Sequence, residues 1–408
     1  MRSMSLRPLP PKLDLAGKRV LVRVDWNVPL GLHLVPDDSL KLERSMRVIH
    51  ELEERGAVVI ILTHLGRPTG PDPKWSTKRL LPILKRRYKL VPVFHPERVD
   101  VAKERASLRT RLQEAESGSV HLLENVRFCA GEEKNTKTLV NAYAELGEIV
   151  VNDAFASCHR KHVSVVGIAS ALPSYAGPSL IEEVSALTKL IEKPKKPFIG
   201  IIGGFKLSTK LPVLKVLLTR CTQVFIGGAM ATALLRARGE DIGASAVEEG
   251  TESMARTLAK AKNLILPIDY MVASEDRPSA RLRIAAPHQI DTSDMIVDVG
   301  PRTIQAWGAA LMKAKTIMWN GPIGVTEKPA SAKGSYALAH LVALRAKGDA
   351  FGVAGGGDTL PVIFKTKTDK WFDHVSTGGG AMLEFIALNG KLPGLAPLEK
   401  KQKESAAK

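Results

Sequence analysis

The chain has 408 residues, 44% of them hydrophobic and 25% charged, with 59 Lys and Arg against 42 Asp and Glu and a formal net charge of +17. This composition excludes a disordered chain, a collagen-like repeat and a disulfide-stapled miniprotein, and the length exceeds what one core fills, so two domains are expected. The basic excess is spread over both halves of the chain, which favours an anionic small-molecule substrate, or a general surface trait, over a dedicated nucleic-acid stripe.

The N-terminus is broken by Pro8, Pro10 and Pro11 and lacks a secretory apolar core. No apolar run reaches the roughly 18 residues of a membrane span. Short apolar runs follow in order: Val20–Val24, Val58–Leu62, Val91–Phe94, Val120–Leu123 and Ile149–Val151, then Phe198–Ile202, Val224–Ile226, Leu264–Pro267, Met295–Val299, Thr316–Trp319 and Ala350–Ala354. Runs without alternation, separated by helical patterns, read as parallel strands buried on both faces. The helix expected over Ser39–Arg55 places Leu42, Met46, Ile49 and Leu52 on one stripe, and the helix opening at Leu207 is expected to bury Leu207, Leu211, Leu214 and Leu218. Pro173, Gly177 and Pro178 break the chain, Ser179–Ile191 reads as a helix, and Pro194 with Pro197 closes it. The expected class is α/β: two doubly wound parallel-sheet (Rossmann-like) domains joined by an interdomain helix and hinge. The domains are expected over residues 1–173 and 198–389, with 174–197 as the hinge and about 390–408 packing back on the first domain. The cysteines, Cys129, Cys158 and Cys221, are odd in number and irregular in spacing, as suits reduced thiols in the cytoplasm. The clusters Lys85-Arg86-Arg87-Tyr88-Lys89 and Lys193-Pro194-Lys195-Lys196 read as a solvated helix end and linker.

Doubly wound sheets bind ligands beyond the carboxyl ends of their strands. In the first half those ends deliver Asp25 and Asn27, His64 and Arg67, Arg127, and Arg160. Arginine presents a planar fork matched to phosphate or carboxylate oxygens, so their convergence points to a small polyanion. The second half delivers glycine: Gly203-Gly204 before Lys206 and Lys210, which share a helical face, then Gly227-Gly228, Gly355-Gly356-Gly357-Asp358-Thr359, and Gly378-Gly379-Gly380. Such loops let backbone N–H groups reach phosphate oxygens at helix starts; Gly227-Gly228 alone reads equally as a tight turn. Asp358 offers the carboxylate oxygen that a hard cation shared with phosphates takes. No Walker loop, dinucleotide fingerprint, Cys–His zinc spacing or nucleophile elbow is present, and His159, His162 and His374 read as orienting or packing groups. Anion recognition in one half and phosphate recognition in the other imply phosphoryl transfer across a cleft.

The motifs Arg23-Val24-Asp25-Trp26-Asn27-Val28-Pro29, Thr63-His64-Leu65-Gly66-Arg67-Pro68, Glu124-Asn125-Val126-Arg127-Phe128, Asn152-Asp153-Ala154-Phe155, Trp319-Asn320-Gly321-Pro322 and His374-Val375-Ser376-Thr377-Gly378-Gly379-Gly380 resemble, in order, those of phosphoglycerate kinases, from about Asp14 to Gly394. The resemblance implies reversible transfer between ATP and 3-phosphoglycerate with Mg²⁺; a monomer is expected, with a dimer as the alternative. It implies that His64, Arg67, Arg127 and Arg160 hold the triose phosphate and that Asp25 and Asn27 bond the glycerate hydroxyl and carboxyl end. Lys206, Lys210 and Asn320 would hold the nucleotide phosphates with Gly203, Gly227, Gly228, Gly355, Gly356, Gly357 and Thr359. Glu327 would take the ribose, Asp358 the metal, and Gly378 and Gly379 would line the phosphate track. Lys210, Arg127, Arg160, Lys41, Gly378 and Gly379 are the expected catalytic set. The chain departs from the family at Lys41, where an arginine is usual and Arg44 lies one turn on, and at Phe205, Thr209, Ala229 and Thr326. These departures motivate the alternative of a binding-only relative that takes nucleotide or nucleic acid; the missing fingerprint argues against a nicotinamide-dependent dehydrogenase.

Overall fold

The computed structural model describes residues 5–29, 36–274 and 281–400, with the backbone alone for 36–39. It contains two compact units: one runs up to Ser185 and is rejoined by the chain at Gly390, the other spans Ala186–Asn389. The division falls inside the helix Pro178–Glu192. Of the C-terminal segment, residues 401–408 lie outside the described residues.

In the first unit the strands are β1 Arg19–Arg23, β2 Val58–Leu62, β3 Val93–His95, β4 Val120–Leu123, β5 Ile149–Asn152 and β6 Ser174–Ala176. All pair in parallel, in the order β3-β4-β2-β1-β5-β6. The inner strands are buried along nearly their whole length, as their uninterrupted Val, Ile and Leu require. Burying each such side chain contributes about 1.5–3 kcal/mol. Leu42, Met46, Ile49 and Leu52 of the helix Pro36–Glu54 are all buried in this core.

The second unit contributes β7 Phe198–Ile202, β8 Gln223–Ile226, β9 Leu264–Ile265, β10 Tyr270–Ala273, β11 Leu282–Ala285, β12 Met295–Val299, β13 Thr316–Asn320, β14 Phe351–Gly355 and β15 His374–Ser376. Six form a parallel sheet, β15-β14-β13-β7-β8-β9. Counted along the chain this is the order 3-2-1-4-5-6 in mirror listing, and growth of the sheet reverses between β7 and β13. In the first unit the reversal lies beside β1, which β2 and β5 flank. Both reversals open a crevice at the carboxyl ends of the adjoining strands.

Three expectations need correction. Met295–Val299 is a strand but not a parallel one: it joins a separate antiparallel sheet, β11-β10-β12. Its first three residues are only half-buried, so its apolar run reflects one covered face rather than two. Val91–Phe94 pairs only from Val93, on the sheet's edge, where Val93 is 54% exposed. In the helix Leu207–Arg220 the buried stripe is Leu207, Val213, Leu214 and Leu217, whereas Leu211 and Leu218 are half-buried. The run Leu-Pro-Val-Leu-Lys-Val-Leu-Leu offers apolar residues to two helical phases, and the i, i+3 phase from Val213 and Leu214 faces the sheet.

β3 and β4 also carry a buried histidine pair. His95 Nε2 and His121 Nδ1 lie 2.9 Å apart, and His121 Nε2 meets Ser119 Oγ at 2.9 Å. Burial, then the His95 ring, pushes His121 down to about 4. A histidine depressed in the folded state stabilises above its unfolded value near 6.5, and that contribution is lost as pH falls toward 4. The His121→Gln variant is therefore expected to show a flatter fall in stability between pH 6.5 and 4 than the parent chain. Denaturant unfolding at a series of pH values measures it; parallel profiles would remove His121 as the cause.

Candidate active site

At the carboxyl end of β1, Arg23 is buried, with 1% exposure. Its Nε donates to Ser164 Oγ at 3.0 Å, Nη1 to the Val24 carbonyl and Nη2 to Ser157 Oγ at 3.3 Å. Nη2 also lies 3.0 Å from His64 Nδ1. Burial, and then the positive charge of Arg23, Arg127, Arg160 and His162, holds His64 well below its ordinary value. A neutral His64 accepting at Nδ1 carries its proton on Nε2, leaving that N–H as a donor.

Arg127 follows β4 on a short turn. Asn125 shapes that turn: its Oδ1 accepts from Arg127 N at 3.1 Å, and its Nδ2 donates to the Leu65 and Trp75 carbonyls at 2.9 and 2.8 Å. The loop after β2 and the loop after β4 are thereby tied together. The Arg127 guanidinium pairs with Glu133 at 2.8 Å, while its buried Nε has no hydrogen-bond partner among the described residues. Burial lowers the Arg127 pKa; Glu133 opposes this, and the neighbouring Arg160 and Arg67 add to it. Cations packed around Arg127 closely enough to add to its lowering, beside an orphaned buried N–H, are arranged for an anion. His162 belongs to the same cluster and is pushed down to about 4 by burial and by Arg127, Arg160 and Arg23.

Asn27 and Asp25 complete this rim. Asn27 Oδ1 accepts from Gly66 N at 2.8 Å, which binds the loop after β1 to the loop after β2. Lys41 Nζ donates to the Asn27 carbonyl at 3.1 Å and stands 3.9 Å from Asp25. Arg44 instead pairs with the buried Glu183 at 3.1 Å. The structure thus gathers Asp25, Asn27, Lys41, His64, Arg67, Arg127 and Arg160 at the ends of β1, β2, β4 and β5.

In the second unit the ends of β7, β8, β13 and β14 are stitched by backbone bonds. Gly203 N donates to Asn320 O, Gly204 N to Pro322 O, and Gly228 N to Ile323 O. Gly203 has no room for a side chain, because a Cβ there would lie 2.0 Å from the Pro322 carbonyl oxygen. Gly203→Ala is expected to destabilise the second unit by about 1–3 kcal/mol, as overpacking does. Denaturant unfolding of the variant and the parent measures it; unchanged unfolding would contradict this.

Lys210 sits one turn into its helix and turns back toward the glycines, donating from Nζ to the Gly203 carbonyl. Burial brings it down to about 8, and Asp358 works in the opposite direction. Asn320 Nδ2 donates to Gly355 O at 2.8 Å, and Thr359 Oγ1 accepts from Gly321 N at 2.7 Å. The helices Ala229–Ala237, Leu360–Lys365 and Gly380–Ala387 start at Gly228, Thr359 and Gly379 without side-chain caps. Gly227, Gly355, Gly356, Gly357 and Gly378 belong to the same loops, where Gly227 N and Gly228 N are already bonded to the Ile202 and Ile323 carbonyls and Gly378 N to Ser376 Oγ. Lys206 and Glu327 are exposed, on the loops after β7 and β13.

Among the described residues no three His, Cys, Asp or Glu side chains gather as a cation cage. Asp358 is an exposed single carboxylate within the field of Lys210. That donor set suits a hard cation whose remaining ligands are phosphate oxygens and water.

The sequence reading passed over Arg23, Asn125, Glu132, Ser157 and Ser164 as functional positions. Glu132 is buried, accepts from Ser164 Oγ at 2.5 Å and Ser164 N at 3.1 Å, and faces the Arg23 charge. A signal was available for Arg23, a lone arginine closing an apolar strand where the sheet has no room for a solvated charge.

The profile of the family described as Phosphoglycerate kinase matches residues 11–391. A phosphoglycerate kinase of Thermus thermophilus is 42% identical over 395 residues, covering 95% of this chain and 98% of the relative. One of Rhizorhabdus wittichii is 39% identical over 407 residues, covering 97% and 100%. The solved phosphoglycerate kinase structure from Coxiella burnetii superposes with a TM-score of 0.80 at 37% identity, covering 97% of this chain and 98% of that one. That from Pyrococcus horikoshii OT3 gives 0.78 at 30% identity, with 95% and 97% covered. With the family model spanning residues 11–391 and relatives and solved structures matched over nearly their whole length, this chain belongs to the phosphoglycerate kinase family.

Proposed function

We propose that the protein catalyses reversible transfer of a phosphoryl group between ATP and the carboxylate of 3-phosphoglycerate, giving ADP and 1,3-bisphosphoglycerate, with Mg²⁺, as a cytoplasmic monomer. The observation that carries this reading is the division of labour: cations gathered around the orphaned Arg127 Nε in one unit, and Lys210 among uncapped helix starts in the other.

His64, Arg67, Arg127 and Arg160 hold the 3-phosphate, and neutral His64 donates through Nε2. Asp25 and Asn27 orient the glycerate end, with Lys41 beside them. Lys206, Lys210, Asn320, Thr359 and the glycine N–H groups hold the nucleotide phosphates, and Glu327 takes the ribose. Asp358 would hold a Mg²⁺, which would supply positive charge to the phosphate oxygens. The acceptor carboxylate is already ionised at neutral pH, so no general base is required. A phosphoryl transition state spreads charge over its oxygens, and positioned cations with the backbone at Gly378 and Gly379 stabilise it. Closure of the two units on their ligands is part of the same reading.

No helix among the described residues is long and apolar enough to cross a membrane. The test is the steady-state rate with Mg-ATP and 3-phosphoglycerate, coupled to reduction of the product. Turnover of about 1–100 s⁻¹ or above is expected. Binding of both ligands without turnover would replace this reading with that of a binding-only relative.

A further inference from the structure

The Lys193-Pro194-Lys195-Lys196 cluster has no part in the reaction just described, yet it lies at a cavity of about 260 Å³ in the second unit. The cavity is lined by Lys189, Lys193 and Lys195 from the linker side and by Lys315, Thr316 and Phe351 around the start of β13 and β14. It therefore opens at the amino ends of those strands, the opposite end of the sheet from the glycine loops. Asp349 and Asp373 also line it.

The charges there do not cancel. Asp349 is shared between Lys315, at 3.6 Å, and Arg345, at 3.7 Å. Asp373 spends one carboxylate oxygen on the Gly352 N–H at 2.7 Å. Lys189 is held 3.7 Å over the Phe351 ring, which fixes its ammonium without neutralising it. No carboxylate lies within 4 Å of the Lys193 or Lys195 ammonium among the described residues. The linker that carries them is stiffened by Pro194 and Pro197 and anchored at both edges. Thr316 Oγ1 donates to the Lys195 carbonyl at 2.8 Å, and Lys315 N donates to the Pro197 carbonyl at 2.8 Å. Lysines on an anchored backbone lose less entropy on meeting an anion than lysines on a free loop.

We infer that this cavity is a second anion site, separate from the active site, which takes a compact phosphate-class anion through Lys189, Lys193, Lys195 and Lys315. The anion has two sources of shared chemistry, an inorganic phosphate or the phosphoryl group of a small metabolite.

The experiment compares the full chain with a Lys193→Gln/Lys195→Gln double variant, both saturated with 3-phosphoglycerate and ADP so that the active site is filled. Inorganic pyrophosphate and glucose 6-phosphate are titrated separately by calorimetry. The parent chain is expected to bind at least one of them, and the double variant to bind it about tenfold or more weakly. Pyrophosphate alone binding assigns an inorganic anion, and both binding assigns the phosphoryl group. A second readout is structural: Lys193 and Lys196 each precede a proline, so tryptic cleavage in this linker is confined to the Lys195–Lys196 bond. The bound anion should slow that cut. Binding of neither probe, equal binding by both proteins, or an unprotected linker overturns the site.

Discussion

Lys210→Ala is expected to lower kcat by about 10²–10³-fold, the cost of removing one preorganised donor from a developing anion, with a much smaller change in the KM for 3-phosphoglycerate. In the proposed reaction the ammonium is held ready for transfer because the fold fixes it against the backbone: Nζ donates to Gly203 O and lies within 3.0 Å of where a Cβ on Gly204 would stand. The same enclosure sets its acid–base behaviour. Burial lowers Lys210 to about 8, so the charge needed for catalysis is present below that value and lost as pH rises through it. The alkaline limb of kcat/KM should therefore fall near pH 8 and move upward in kcat, where nucleotide phosphates favour the ammonium. In the variant this limb should vanish. Stability runs the other way. The unfolded chain binds the extra proton between about 8 and 10.5, so enclosing this cation costs stability below pH 8 and the cost is relieved above 10.5. Lys210→Met is accordingly expected to be inactive and at least as stable as the parent at pH 7. A Lys210→Ala enzyme within about tenfold of the parent rate would remove Lys210 from the transfer step.

How much of this was readable beforehand depended on how local the signal was. Val58–Leu62, Val120–Leu123 and Phe198–Ile202 are strands with the bounds their apolar runs indicate, because a strand buried on both faces writes itself as uninterrupted apolar sequence. Ser174–Ala176 and His374–Ser376 were missed as strands since three-residue edge strands leave no periodicity to find. The antiparallel sheet was missed for a different reason. Leu282–Ala285 is mostly half-buried or exposed, so no uninterrupted apolar run marks it, although it is the next strand after its partner Tyr270–Ala273. At the site, residues that face ligand sit in loops of glycine, arginine and lysine, which stand out in a sequence. The groups that hold them do not. Asn125 looks like a loop residue until its amide is seen joining two loops, and Glu132 looks like a surface carboxylate although it is 1% exposed.

Arg23→Met should be the most destabilising single change in the first unit, about 3–5 kcal/mol, because it leaves a buried partner charge uncompensated. Glu132 is buried; burial raises its pKa, while Ser164 and then Arg23 hold it down. Removing Arg23 strips away the larger of the two positive charges that hold it down, Arg127 being the other, together with the donors to Ser157, Ser164 and His64. The loss should depend on pH in a defined sense. At acidic pH Glu132 takes up a proton and the uncompensated charge disappears, so the deficit of Arg23→Met relative to the parent should be smaller at pH 5 than at pH 8. An Arg23→Met/Glu132→Gln double variant should recover much of the loss at pH 8 without recovering activity, since His64 no longer has the donor that fixes its proton on Nε2. Denaturant unfolding of the four proteins of this cycle at both pH values separates the two contributions. A deficit below about 1 kcal/mol, or one that grows on acidification, would show that Arg23 and Glu132 are not a coupled pair and that the anion rim is held in place by its loops alone.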